Sequence, residues 1–240
     1  MEINKYCKLF LNQVYSYDIS HCHYSILKNL GFNLSNINES NKEERNKQIG
    51  IMMRDNSKIT SVLRDITNSI INNYITLNEI SDDDLIIRQY DGFITKKFLK
   101  KTDLYLPLEL RNIFEVFISS IERNKFIAKD KNEYSIKGIS HKYEEMNNIY
   151  KKILNINYMD KVSIFKSLQR IKEEILESDN VLLFCIPTED EKYNVFLKDL
   201  GEIEISHTTA NILNMDDIDK LKYFNYYIRP FTESIVLEFV

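Results

Sequence analysis

Tryptophan is absent from the 240 residues, and cysteine, proline and glycine are scarce, at three, three and five. The cysteines, Cys7, Cys22 and Cys185, are odd in number and lie at no metal-ligand spacing. That argues against a disulfide framework and for free thiols in a reducing compartment. Long apolar runs are also missing. The longest, such as Val181–Pro187, fall far short of the roughly 20 residues a membrane-spanning helix needs. Met1–Leu11 carries charges and no continuous apolar stretch, so no secretory leader is read and the expected location is the cytoplasm. No internal repeat and no low-complexity linker is visible.

What is present is an ordinary globular composition, 43% hydrophobic and 28% charged, with a net charge of −4. The length suffices for a sizeable core in one large domain or two small ones. The acidic balance speaks against a simple nucleic-acid coat protein. It leaves open an enzyme whose acidic site is offset by basic tracks elsewhere.

The stretch Leu85–Lys97, LIIRQYDGFITKK, organises the chain. Leu85–Ile87 and Phe93–Thr95 read as strands, and Tyr90-Asp91-Gly92 as the turn between them, with Gly92 supplying φ > 0. Gln13–Tyr17 reads as another strand, ending at Asp18, and His23–Gly31 as a short helix with Gly31 as its C-cap. Two helices follow, Lys42–Arg54 and Lys58–Leu77, the second with Ser57 as N-cap and Ile59, Val62, Leu63, Ile66, Ile70 and Ile71 at helical spacing. Pro107–Ile121 reads as an apolar helix. Lys125–Ala128 and Tyr134–Ile139 read as strands, Glu144–Leu154 and Lys161–Leu176 as charged helices. Val181–Ile186, Tyr193–Leu197 and Glu202–Ser206 read as extended, and Asp216–Lys222 opens a last helix. Two carboxylates at the tips of neighbouring strands, Asp18 and Asp91, are the oxygen donors that a pair of hard cations needs. Lysines from Lys96 to Lys152, interleaved with Phe126, Tyr134, Tyr143 and Tyr150, offer a track for a phosphate backbone or a solvated surface.

In this order the elements resemble the palm, fingers and thumb of a family B DNA polymerase, of divergent phage or viral type. Asp18-Ile19-Ser20-His21-Cys22-His23-Tyr24-Ser25-Ile26 is similar to that family's D-x-x-S-L-Y-P-S-I, with His23 at the place of its Tyr. Arg64-Asp65-Ile66-Thr67-Asn68-Ser69 is similar to K-x-x-x-N-S in the fingers, and Arg88-Gln89-Tyr90-Asp91-Gly92 to Y-x-D-T-D-S with Gln89 at the first Asp. Lys125-Phe126-Ile127-Ala128 and Ile136-Lys137-Gly138 resemble the basic strand and K-G segment that lead into the thumb. Tyr223–Ile235 resembles a late thumb segment.

The resemblance implies an α+β fold. Residues 1–41 and 78–140 would form a palm-like part with an antiparallel sheet, 42–77 a two-helix fingers-like insertion, and 141–240 a thumb-like α/β region. It implies template-directed, two-metal nucleotidyl transfer to a primer 3′-hydroxyl. Asp18 and Asp91 would be catalytic and hold two Mg²⁺ ions; Arg64, Asn68, Arg45 and His23 would bind the nucleotide; Lys125 and Lys137 would bind DNA. The partners implied are primer-template DNA, deoxynucleoside triphosphates and no membrane. The residues before Asp18 are too few for a proofreading exonuclease. A separately encoded exonuclease or amino-terminal polymerase fragment, or a sliding clamp, is therefore a further expected partner. The single Asp in the third motif keeps a second reading open, a catalytically degenerate DNA-binding or replication-accessory protein. His21, Cys22 and His23 invite zinc, but alternate residues of one segment seldom supply the four ligands of a structural site.

Overall fold

The computed structural model describes residues 2–3, 8–120, 125–131, 133–138, 144–178, 186–187, 192–197, 201–206 and 217–239. It is a mixed α+β chain in two compact units, one of Met1–Asn4 with Val14–Ile113, the other of Lys5–Gln13 with Phe114–Val240. Among the described residues no helix is long and apolar enough to cross a membrane.

The first unit is built on a five-stranded sheet in the order β1-β4-β5-β3-β6. Its strands are β1 (Glu2–Ile3), β3 (Val14–Ile19), β4 (Leu85–Arg88), β5 (Gly92–Thr95) and β6 (Leu108–Phe114). β3 and β5 pair antiparallel with Asp18 opposite Gly92, and β4 and β5 form the hairpin around Asp91. Between β3 and β4 run α1 (Cys22–Asn29), α2 (Lys42–Asp55) and α3 (Ser57–Leu77). Their apolar faces explain the arrangement. Tyr17 and Ile19 of β3 and Phe93 of β5 share one buried cluster with Leu27, Ile49, Leu63, Ile71 and Tyr74 of the three helices. Buried hydroxyls fasten the loop after β5 to this core. Tyr17 Oη accepts from Leu99 N at 3.0 Å, and Tyr74 Oη accepts from Leu104 N at 3.0 Å and donates to Leu106 O at 2.6 Å.

Helix ends follow side-chain chemistry. α1 has Leu30 as its C-cap, and Gly31, expected to be that cap, is the next residue, at φ 81°, with Phe32 N donating to Leu27 O. α3 is capped by Asn56, whose side chain accepts from Lys58 N and Ile59 N. Ser57, expected to be that cap, is the first helical residue instead. The extended backbone of Asn56 brings its amide oxygen under two orphan N–H groups, which a residue already in the helix cannot do.

The segment expected as a helix over Pro107–Ile121 is two strands, β6 and β7 (Val116–Ser119). Phe117 and Ile118, adjacent in sequence, are both fully buried. A strand covered on both faces reads as a continuous apolar run, which periodicity cannot tell from a buried helix. β7 belongs to the second unit, in a four-stranded sheet ordered β2-β7-β8-β9, with β2 (Leu9–Phe10), β8 (Phe126–Lys129) and β9 (Tyr134–Lys137). This pairing sets the break between the units at Ile113, well before the start of the thumb-like region expected at residue 141.

The second unit adds α4 (Glu144–Leu154), α5 (Lys161–Glu177) and α6 (Asp217–Tyr223), a π-helical turn over Phe224–Ile228, and α7 (Arg229–Phe239). β10 (Ile186–Pro187), β11 (Lys192–Leu197) and β12 (Gly201–Ser206) form a separate antiparallel sheet. The strand expected over Val181–Ile186 lies, up to residue 185, outside the described residues. Ile118, Ile127, Tyr150, Ile153, Ile164, Ile228 and Phe231 form the core. Ser234 Oγ, buried in it, donates to Ser119 O at 2.6 Å.

Gly92 was expected to supply a positive φ; it does not, unlike Gly31 and Gly138. Its requirement is closeness. A Cβ there would overlap Tyr17 O and stand 3.0 Å from Asp18 Cα, both backbone atoms. Gly92→Ala must therefore push β5 off β3. A loss of about 1–3 kcal/mol, the usual cost of overpacking, is expected from the urea midpoint. An unchanged midpoint would show that the two strands are not held this closely.

Candidate functional site

Asp18 reaches its position because β3 is amphipathic up to its last residues. Tyr17 and Ile19 point into the core, so Asp18 between them faces outward, half-exposed. Gly92 opposite carries no side chain to cover it. Asp91 lies just before β5, in the bend, and its carbonyl accepts from Ile19 N at 2.9 Å. The bend frees Asp91 from the strand pleat, and its carboxyl group comes within hydrogen-bonding reach of that of Asp18. Burial and then the like charge of Asp91 raise Asp18 to a pKa of about 6, with Arg111 opposing. The convergence expected of Asp18 and Asp91 is thus present: two acceptor carboxylates, one on β3 and one in the bend that leads into β5.

Three further groups surround the pair. His23, in the first turn of α1, meets the Tyr90 ring edge-on at 5.1 Å between centroids. Its Nε2 is buried with no partner among the described residues. Burial holds the imidazole below its usual pKa against the pull of Asp91, so it is neutral at pH 7. Tyr90 is raised chiefly by burial, and its hydroxyl lies within hydrogen-bonding reach of Arg64 on α3. Arg64 is thereby drawn to the residue next to Asp91. Beneath them the Cys22 thiol contacts Thr67 Oγ1 at 3.6 Å and is pushed up to about 11 by burial, which makes it an inert core group.

Of the other expected nucleotide contacts, Asn68 is half-buried on α3, one turn beyond Arg64. Arg45 is not placed to meet a ligand. It is 3% exposed, and its Nη1 donates to Glu39 O at 2.5 Å. The helix face that carries Arg45 also carries Ile49, and that face is turned into the core. Lys125 and Lys137 belong to the second unit. The β8–β9 register sets Lys137 opposite Phe126, so the two lysines share one end of that hairpin. Lys125 Nζ stands 5.5 and 5.6 Å from the ring centroids of Tyr226 and Tyr227.

The sequence reading missed Arg111, because it assigned that segment to a helix. Arg111 Nε is 3.7 Å from Asp18 Oδ2, its Nη1 is 2.8 Å from Glu109 Oε2, and its Nη2 donates to Ser20 Oγ at 2.7 Å. The alternation of Leu108-Glu109-Leu110-Arg111 was the signal that could have found it. Among the described residues no three His, Cys, Asp or Glu side chains converge on one point. His21 is exposed at φ 54°, Cys22 is buried and His23 faces Tyr90, so this triplet diverges. No protein-family model matches the chain, and no curated protein matches its sequence.

The raised Asp18 has a signed consequence for stability. The folded chain holds this proton more tightly than the unfolded chain, whose Asp has a pKa of 3.8. Its contribution is therefore fully present below about pH 4 and is lost as pH rises through about 6. The shift alone amounts to about 3 kcal/mol. Discounted for the one-third exposure of the side chain, about 1–2 kcal/mol remains. Asp18→Asn should accordingly be more stable than the parent at pH 7 and no more stable at pH 4, as read from urea unfolding at the two pH values. A variant equally destabilised at both would mean that Asp18 is a structural residue.

Proposed function

We propose that the chain carries out template-directed nucleotidyl transfer to a primer 3′-hydroxyl, in the manner of the polymerase half of a family B DNA polymerase. The observation that supports this reading best is the meeting of Asp18, on β3, with Asp91, in the bend that leads into the paired β5, with Arg64 drawn to the neighbouring Tyr90. Magnesium is the cation the reading implies, and the residues fit it. The donors are all carboxylate oxygens, half-exposed, and their mutual repulsion is relieved by positive charge. The chemistry supplied by two bound Mg²⁺ ions would be a lowered pKa at the primer hydroxyl and neutralisation of the triphosphate.

Asp18 and Asp91 hold the cations in this reading and must both be ionised to do so. Arg64, a permanently charged fork, orients the triphosphate, with Asn68 one turn further along the same helix. His23 and Tyr90 present an edge-on aromatic pair to the nucleotide, and the neutral imidazole adds no charge to the phosphate region. Arg45 has no part in it. In this assignment the five-stranded sheet is the palm, α2 and α3 the fingers, and the chain beyond about residue 140 the thumb. Lys125 and Lys137 contact the phosphate backbone of primer-template DNA, and Tyr226, half-exposed beside Lys125, adds a ring face. Partners would include deoxynucleoside triphosphates and a separately encoded exonuclease, polymerase fragment or sliding clamp, in the cytoplasm of a host cell if the source is a phage or virus.

Primer extension by purified protein with Mg²⁺ tests the proposal directly. Asp91→Asn should lower the rate by a factor of about 10² or more with circular dichroism unchanged, because a transition-state charge loses its support. Arg64→Ala should raise KM and lower kcat together. Extension absent with every candidate partner, with DNA binding intact, would select the degenerate DNA-binding protein instead.

The second unit carries its own expectation. Charge reversal at Lys125 and Lys137 together should weaken binding of primer-template and of unrelated duplex alike. It should also flatten the dependence of log affinity on log salt by about one for each phosphate that is no longer neutralised. Equal affinity and slope in the double variant would make these ordinary surface lysines.

A further inference from the structure

Arg111 heads a polar cluster beside the carboxylates that the proposed reaction leaves without a role. Its strand, β6, flanks β3 in the sheet, and its guanidinium meets a different oxygen with each of its three nitrogens. The two short contacts, 2.8 Å to Glu109 Oε2 and 2.7 Å to Ser20 Oγ, anchor the head independently of Asp18. The third, at 3.7 Å, lays Nε against Asp18 Oδ2. The head is thus held in place, and Asp18 comes to it.

With 42% of its side chain exposed, Arg111 gains little stability from these ion pairs. Its electrostatic effect on the pair is larger. Asp18 lies between a like charge at Asp91 and a fixed positive charge at Arg111. A guanidinium keeps its charge at every working pH, so it offsets the carboxylate repulsion whenever no other cation does. A divalent cation that approaches the same carboxylates is repelled by it and has to share the Asp18 carboxylate with Nε.

We infer that Arg111 is a positioning residue that competes with divalent cations for Asp18. It holds the Oδ2 edge of that carboxylate in place and weakens cation affinity as the cost of doing so. The inference rests on reading Asp18 and Asp91 as a cation-binding pair. It separates two quantities that a structural brace would move together. Loss of a brace loosens the carboxylates and weakens cation binding along with turnover. Loss of a charged competitor strengthens cation binding while turnover falls.

The test is Mn²⁺ binding to the full chain without nucleotide, read from the electron paramagnetic resonance signal of free Mn²⁺, together with primer extension. Arg111→Gln should bind Mn²⁺ about tenfold more tightly than the parent and have a lower kcat at saturating metal. Arg111→Lys keeps the charge and loses the fork, so its Mn²⁺ affinity should stay within about twofold of the parent while kcat falls. If Arg111→Gln does not fold, Arg111→Met removes the same charge on a side chain of similar reach and should tighten Mn²⁺ binding by a comparable factor. Asp91→Asn is the control, expected to abolish binding.

Binding lost in Asp91→Asn but unchanged or weaker in Arg111→Gln, or in Arg111→Met where that variant stands in, overturns the inference and leaves the cation reading intact. No Mn²⁺ binding by the parent or by either variant removes the cation reading, and the inference with it.

Discussion

The first unit depends on the close pairing of β3 with β5, where Gly92 lies against the backbone of Tyr17 and Asp18. Two carboxylates do not approach one another unaided, since each is better solvated alone and they repel when ionised. Here the backbone brings them together. Ile19 N donates to Asp91 O, the hairpin closes through Gln89 N to Gly92 O, and the apolar neighbours Tyr17, Ile19 and Phe93 are committed to the core. The pair is held by hydrophobic burial elsewhere in the unit, and burial, then the like charge of Asp91, raises the pKa of Asp18. Perturbed carboxylates cluster at functional sites, and ion-pair networks produce them as well.

His23, Cys22 and Tyr90, beside the pair, carry no charge. Burial keeps His23 neutral, keeps the Cys22 thiol protonated and raises the Tyr90 phenol. A cation approaching the carboxylates therefore finds acid oxygens, a neutral imidazole and a phenol, with Arg111 and Arg64 as positive charges at the edges. Such a surrounding favours hard, oxygen-seeking cations over soft ones.

The strand tips bearing Asp18 and Asp91 and the two inserted helices were legible in the sequence because each rests on local signals. Asp-Gly marks a bend, apolar residues recur at helical spacing through Leu63, Ile70 and Ile71, and Gly31 stands just past the end of α1. Three features were not legible, each for a physical reason. Phe117 and Ile118 are buried on both faces of β7, so the run lost the alternation that marks a strand. Arg45 looks like any helix cation in sequence, and only tertiary packing shows that its face turns inward with Ile49. Arg111 lies 93 residues after Asp18, and its role arises from β6 lying beside β3, a pairing that sequence order does not announce.

The direction in which α3 points Arg64 is itself a packing result. Thr67, fully buried, meets the Cys22 thiol of α1, and Leu63, Ile70, Ile71 and Tyr74 line the same inner face. Successive helix residues turn by about 100°, so Arg64 and Asn68 fall within about 40° of one another, at the border of this face and solvent. Rotation of α3 by one residue would bury Arg64 or carry it away from Tyr90. The small Cys22–Thr67 contact cannot provide much energy. A larger residue at either position, however, would have to turn or lift α3, and with it the cation that this helix brings to Tyr90. The approach of Arg64 to Tyr90 therefore depends on the fit of these two small, buried side chains as well as on the apolar face of α3, which makes the packing of this helix a constraint on the site.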